Sequence, residues 1–382
     1  MKHFLLLSLI ILLLACDRGN NFEACLEKSG NEISLLLDSD MKSNTKSLYL
    51  FKNKDGKEYI TFQNQLKNEI CFYDFTTRKL EFRITPELDG NNGVGMFFGY
   101  YIQSLDSIFL TNIDVAEIAM VNSSAQLKDQ FVYDTASDGI LLRRSFSTTN
   151  YHRPITIIGN KIYTISRCNR MAHPNPVSIT IDMKTKEVNY LPFEYPQMQN
   201  SINKTKAFGL EDQFSRTFDG NHFVYSFYFD EDIFVTSIDH KQIQRKKVKS
   251  KYVNSVRLLD DFGKSTIQDA CENPNYGNMI YDPYRSVYYR IAFPETKIER
   301  KLELNEAVEL LDYGRKNFSI IILDKEFNII GETLFPDYSY NPGIMFVRED
   351  GLYISACHPM NPLYDDDFLN FQRFKLKRTG GI

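Results

Sequence analysis

One hairpin motif recurs along this chain, and few folds accommodate it. A run of apolar and aromatic residues ends at Asp or Asn, a polar turn follows, and a second strand-like run begins. Ile70-Cys71-Phe72-Tyr73-Asp74 leads to Lys79-Leu80-Glu81-Phe82, and Ile179-Thr180-Ile181-Asp182 leads to Glu187-Val188. Segments 118–122, 234–239 and 320–324 repeat the first half. The markers Asp74, Asn122, Asp182, Asp239 and Asp324 lie 48, 60, 57 and 85 positions apart. Asp and Asn suit the place because they tolerate a turn's backbone and hydrogen-bond to it. A loose period of about 50 residues holding about four strands is that of a β-propeller blade. A stack of sandwiches also supplies many short strands, but it has no need of the recurring hairpin. The expected fold is therefore all-β, a β-propeller, with six blades favoured over seven.

Between the markers the chain reads as short strands, rich in its 29 Phe and 23 Tyr and bounded by Asn, Asp, Gly and Lys turns. The last strand, Phe371 to Leu376, belongs to a sixth unit that Ile33 to Leu37 can complete, closing the ring with both ends of the chain. The long interval before Asp324 holds one helical pattern, Glu299 to Tyr313. There Leu302, Leu304, Ala307, Val308, Leu310 and Leu311 form an approximate stripe and Gly314 is a stop. It is expected as an insertion packed on the ring.

The start of the chain is of another kind. Met1-Lys2-His3 precedes an apolar run from Phe4 to Leu14 and then Ala15-Cys16. A charged start, a short apolar stretch and a small residue before the cut make a secretory signal. The run is too short to span a membrane, which takes about 20 residues. Leu13-Leu14-Ala15-Cys16 resembles a lipobox, so residues 1–15 are expected to be removed and Cys16 to carry lipid, anchoring the protein in the cell envelope at the outer membrane. Leu14 is bulkier than the residue usual at its place. Residues 16–31 are expected to be a lipidated start and polar tether, and 32–382 one propeller domain.

A net charge of −4 and a pI near 6.0 argue against nucleic acid as a partner. The basic cluster 245–251 reads as a solvated strand edge. After Cys16, five cysteines remain (Cys25, Cys71, Cys168, Cys271 and Cys357) without a Cys-x-x-Cys pair, so mostly buried free thiols are expected instead of a zinc or disulfide framework.

Catalytic signatures such as Gly-x-Ser-x-Gly, His-Glu-x-x-His and the P-loop are missing. Gly93-Val94-Gly95 with Gly99 has the wrong spacing for a dinucleotide fingerprint and reads as a turn or close backbone packing. Asp365-Asp366-Asp367 lacks the alternation and glycine of a calcium loop, so a solvated loop is the expectation and no metal or cofactor is called for. Asn273 to Glu295 is the most distinctive stretch. It concentrates Tyr276, Tyr281, Tyr284, Tyr288 and Tyr289 around Asp282, Arg285 and Arg290. On a strand, Val287, Tyr289, Ile291 and Phe293 share one face, and Tyr288, Arg290 and Ala292 the other. Arg290 is then either a packing arginine paired within the fold or a guanidinium shown to an anionic or sugar-like ligand. A partial echo links Tyr163–Cys168 with His173-Pro174-Asn175-Pro176 to Tyr353–Cys357 with His358-Pro359-Met360-Asn361-Pro362. These stiff loops either only turn the chain or line one propeller mouth. The candidate ligand-binding set is Arg290, Tyr289, Asp282, Tyr276, His358 and His173.

The lipobox start, the Asn275-Tyr276-Gly277…Tyr281-Asp282…Val287-Tyr288-Tyr289-Arg290 stretch and Gly351–Ser355 with His358-Pro359 resemble the Bacteroidota lipoproteins of domain-of-unknown-function family 4221. That resemblance covers nearly the whole mature chain. It implies a propeller-like envelope lipoprotein and carries no catalytic residues. The leading expectation is a non-enzymatic module binding a glycan, peptide or envelope protein at one propeller mouth. The alternative is a hydrolase or lyase acting on carbohydrate or peptidoglycan, which needs two carboxylates, or a His with a carboxylate, brought together; Asp282, Arg290 and His358 are the trio to test. A purely structural subunit would instead show exposed apolar surface.

Overall fold

Each marker of the repeat ends a third strand and turns it into a fourth. The carboxylate or amide oxygens of Asp74, Asn122, Asp182, Asp239 and Asp324 accept amides of their own turns: Thr77 at 2.6 Å, Ser124 at 3.0 Å, Lys184 at 2.9 Å, Lys241 at 3.2 Å and Glu326 at 2.9 Å. Soon after each marker one residue takes a left-handed backbone (Arg78, Ala125, Lys186, His240 and Phe327). That shared geometry is the physical content of the repeat.

The computed structural model describes residues 24–45, 47–64, 66–112, 114–142, 152–166, 174–196, 213–256 and 265–378. Cys16, Cys168 and His173 lie outside them. Strand β1 spans Ala24–Leu36. Four antiparallel four-stranded sheets follow in order. The first is β2 to β5 (Leu48–Lys52, Glu58–Asn64, Glu69–Asp74, Leu80–Ile84) and the second β6 to β9 (Phe97–Ser104, Ser107–Asn112, Glu117–Val121, Leu127–Val132). The third is β10 to β13 (Thr156–Ile158, Lys161–Ile165, Ser178–Asp182, Val188–Tyr190) and the fourth β14 to β17 (Phe214–Phe218, His222–Phe227, Asp232–Ser237, Ile243–Lys247). Helix α1 (Ile267–Glu272) leads into β18 (Asn275–Asp282) and β19 (Val287–Phe293); α2 (Leu304–Asp312) leads into β20 (Ser319–Leu323) and β21 (Ile329–Leu334). Last come β22 (Asn341–Arg348), β23 (Gly351–Ser355) and β24 (Phe368–Arg378). Here β1 returns as the fourth strand: Ile33 pairs with Phe371 and Leu35 with Leu369, as the two ends of the sequence suggest. A single parallel bridge, Ala24 to Gly331, joins this group to β18–β21.

The apolar faces meet in sequence around a ring. Phe72 and Ile84 pack with Tyr100 and Leu110; Phe109 and Phe131 with Ile162 and Ile179; Tyr163 and Val177 with Phe223 and Phe227. Val224 and Val235 pack with Tyr288 and Ile321, Tyr289 and Ile322 with Ile354 and Phe374, and finally Tyr353 and Phe371 with Ile60 and Tyr73. Each sheet is thus covered on both faces, which is why inner strands such as β3, β4, β12 and β20 are buried along nearly their whole length. The arrangement is all-β and propeller-like.

Two expectations are corrected. The strand starts at Ala24, so the tether does not extend to residue 31; Leu26 already packs in the core. The helix begins at Leu304 after its cap Glu303, and only Ala307 and Leu310 of its own residues are buried, while Leu304 and Val308 face out. A second, shorter helix, α1, closes a small core with α2 through Cys271, Leu302 and Leu310. The sequence pattern of α1 was too brief to read. The basic cluster behaves as expected: β17 is an exposed edge, where Arg245 pairs with Asp232 and Lys249 with Glu231.

Candidate functional site

Because every sheet is a four-strand meander, strand parity decides which end each connection occupies. Eleven connections, from 53–57 to 349–350, are turns of two to five residues and all lie at one end. The others lie at the opposite end and include 85–96, 133–155, 191–213, 248–274, 294–318 and 356–367. Both helices and the His358-Pro359 segment therefore belong to this long-loop face.

The sequence-chosen residues do not converge. Arg290 is wholly buried and spans to the neighbouring sheet. Its Nε donates to Ser226 Oγ at 2.9 Å, Nη1 to the carbonyls of Glu231 and Val248 at 2.8 Å each, and Nη2 to the carbonyl of Asp230 at 2.6 Å. The guanidinium lies 3.8 Å from the Tyr276 ring centre. Burial pushes its pKa down to about 10, so it stays charged at neutral pH, with carbonyls as the compensating acceptors. No donor group is left for a ligand, and the packing reading holds. At the preceding seam Arg216 does the same work, donating to the carbonyls of Pro154, Tyr163 and Thr164 at 2.7, 3.0 and 3.2 Å.

Asp282 sits at the other end of β18, on the tight-turn face. It is buried and accepts from the amides of Tyr284 and Arg285, from Arg285 Nη1 at 2.9 Å and from the Tyr289 hydroxyl at 3.2 Å. Tyr276 and Tyr289 are buried on opposite faces of the sheet, because a bulge in β18 between Tyr276 and Met279 sets Tyr276 opposite Ala292. His358 is buried on the long-loop face, on the side of that sheet facing away from Arg290. Its Nε2–H donates to the Arg315 carbonyl at 3.0 Å, while Nδ1 accepts the Met360 amide at 3.2 Å. Burial lowers its pKa to about 4, so it is neutral. Arg315 in turn donates to the Asn273 carbonyl at 2.6 Å and lies over Phe293. These groups lock the loops; they do not form an acid–base pair. The trio of Asp282, Arg290 and His358 is dissolved by the parity of β18 and by the sheet between Arg290 and His358. Among the described residues, no group of His, Cys, Asp and Glu could hold a metal ion, and Asp365–Asp367 form an exposed turn.

What does gather on the long-loop face is exposed apolar side chain. Leu66, Leu88, Met96, Val115, Leu141, Leu304, Val308, Met360 and Leu363 all belong to its connections or helices, with Leu363 at 87% exposure and Leu141 at 78%. The tight turns contribute Tyr284 alone among the large exposed apolar groups. Beneath the loops, Ser47 Oγ, Asn275 Oδ1 and Asn341 Nδ2 are buried without a protein hydrogen-bond partner. They stand where β2, β18 and β22 enter from this face. Sequence reasoning missed the loop residues because each is isolated, with no periodicity to mark it, while Leu304 and Val308 fit the helical period of α2, which says nothing of what covers them.

The fold and this face define an all-β, propeller-like protein with one end of tight turns and one end of elaborated loops. The family model described as domain of unknown function 4221 matches residues 24–334, and the chain belongs to that family. A crystal structure of a family member from Bacteroides vulgatus is similar over 94% of this chain and 99% of that one, at 26% identity and a TM-score of 0.81. A candidate exported protein of Bacteroides fragilis shares the fold at 7% identity over 95% of this chain and 98% of its own, with a TM-score of 0.54. No curated protein matches the chain. Among the described residues, no helix is long and apolar enough to cross a membrane.

Proposed function

We propose that the protein is an exported, lipid-anchored envelope lipoprotein whose six four-stranded groups act as the blades of a propeller that captures a partner protein on its long-loop face. One observation carries the binding role: large exposed apolar side chains are concentrated on the connections of that face and nearly absent from the turns of the other. Apolar surface of this kind marks a protein interaction site more than a sugar site. The six seams between neighbouring sheets support the blade count, and the charged start, apolar run and Ala15-Cys16 support export and anchoring. The candidate export of the B. fragilis protein that shares the fold agrees with that address. An enzymatic reading finds no support in the placement of Asp282, Arg290 and His358.

The test is site-specific photocrosslinking in cells. A crosslinker at Leu88, Leu141 or Leu363 should trap one and the same protein, and a crosslinker at Asn221 or Lys325 on the tight turns should not. Equal or absent crosslinking at both sets of positions would refute the assignment.

A further inference from the structure

The termini of the ring lie together at the tight-turn end. Ala24 pairs with Arg378, and Leu36, at the other end of β1, pairs with Phe368 beside the long loop 356–367. Only residues 17–23 separate Cys16 from Ala24, and the eight steps of chain between them reach at most about 29 Å. The bulge between Lys28 and Glu32 shortens β1 to the span of its partner from Arg378 to Phe368, so Leu36 and the long-loop face lie about 33 Å from Ala24 along the strand. A lipid on Cys16 therefore cannot sit at the long-loop face while β1 stays paired.

We propose that the tight-turn face rests against the lipid surface, and that the apolar long-loop face is presented on the side remote from it. This rests on the reading of Cys16 as the lipid-bearing residue. The occupant of the tight-turn face is the headgroup layer, and the charge there is consistent with a contact made by the tether alone. Exposed Lys54, Arg78, Lys184, Lys241 and Lys325 are interleaved with exposed Asp55, Asp106, Asp239 and Glu326, so neither sign dominates. The turns are also polar, and apart from Tyr284, and Ile243 where β17 begins, this end offers no large exposed apolar group that would insert into the acyl region. Burial of Leu304, Val308 and Leu363 in the membrane is the competing arrangement, and the tether length opposes it.

The experiment uses the processed full-length protein, reconstituted in vesicles whose headgroups carry a fluorescence quencher. Cys25 and Cys168 are replaced by Ser, and a single label is placed at Lys325→Cys or at Leu363→Cys. Both sites are exposed, whereas Cys71, Cys271 and Cys357 are buried. Quenching several-fold stronger at position 325 than at 363 is expected, and 1 M salt should not abolish it. Equal quenching, or stronger quenching at 363, would overturn the orientation while leaving the anchor intact. Mass spectrometry of the N-terminal peptide separates the two failures: a Cys16 without lipid on a protein that leaves the vesicles would overturn anchoring and orientation together.

Discussion

Arg290→Ala is the perturbation that separates a structural from a ligand-holding arginine. In the folded protein the guanidinium is the partner of one buried carbonyl, that of Val248, and of two partly buried ones, those of Asp230 and Glu231, at 2.6–2.8 Å. Orphaning them costs about 1–3 kcal/mol each. Losing the stack on Tyr276 adds about 1–2 kcal/mol. Against this stands the relief of a buried cation, whose depressed pKa corresponds to roughly 3 kcal/mol. Taken at the midpoints of these ranges, the balance is a destabilisation of about 3–5 kcal/mol. With an unfolding entropy of about 2.1 cal/mol/K per residue over roughly 350 residues, that lowers Tm by about 4–7 °C. Arg290→Lys should recover little, because three donors on one nitrogen cannot reach acceptors spread over segments 226–232 and 248. Calorimetry together with denaturant unfolding measures the effect. A Tm within about 1 °C of the parent would refute the clamp and return Arg290 to the surface of a ligand site.

Deleting Leu369 to Ile382 removes most of β24, strips β1 of its antiparallel partner and leaves it a single bridge at Gly331, so an insoluble or protease-sensitive product is expected; unchanged melting would contradict closure at this seam. Stability should fall as pH drops from about 6.5 to 4. Buried His240 and His358 each have a folded pKa lowered to about 4, so the unfolded chain binds the extra protons in that window, and up to roughly 3 kcal/mol per histidine is lost below it. His358→Gln should flatten its share of that slope in pH-dependent denaturant titrations. Gly314→Ala should destabilise and disturb the seating of α2, because Gly314 has φ +95° and a Cβ there would strike the Pro342 ring; parent-like melting would contradict that contact. Cys16→Ser should release the protein from the membrane fraction or block processing, and unchanged fatty-acid labelling of the variant would disprove lipidation at this residue.

Much of the fold was legible in the chain because it rests on local rules. Asp74, Asp182 and Asp324 mark their turns through side chain to backbone bonds spanning two to four residues, so the repeat could be read without coordinates. The two faces of β19 follow from alternation, and Tyr289 and Tyr288 do enter different seams. The extent of α2 was less legible, because Leu304 and Val308 fit the helical period yet face solvent, and a period reports a face without saying what covers it. The candidate site was the least legible feature. Arg290 finds its acceptors 42 to 64 positions away in the preceding sheet and its connections, and His358 finds Arg315 43 positions away on the loop after α2. Such pairings depend on how one sheet docks on the next. The same holds for the division into a tight-turn face and a long-loop face. Each loop's composition is local, but its end of the ring is decided by counting antiparallel strands from a seam that the first and last strands make together.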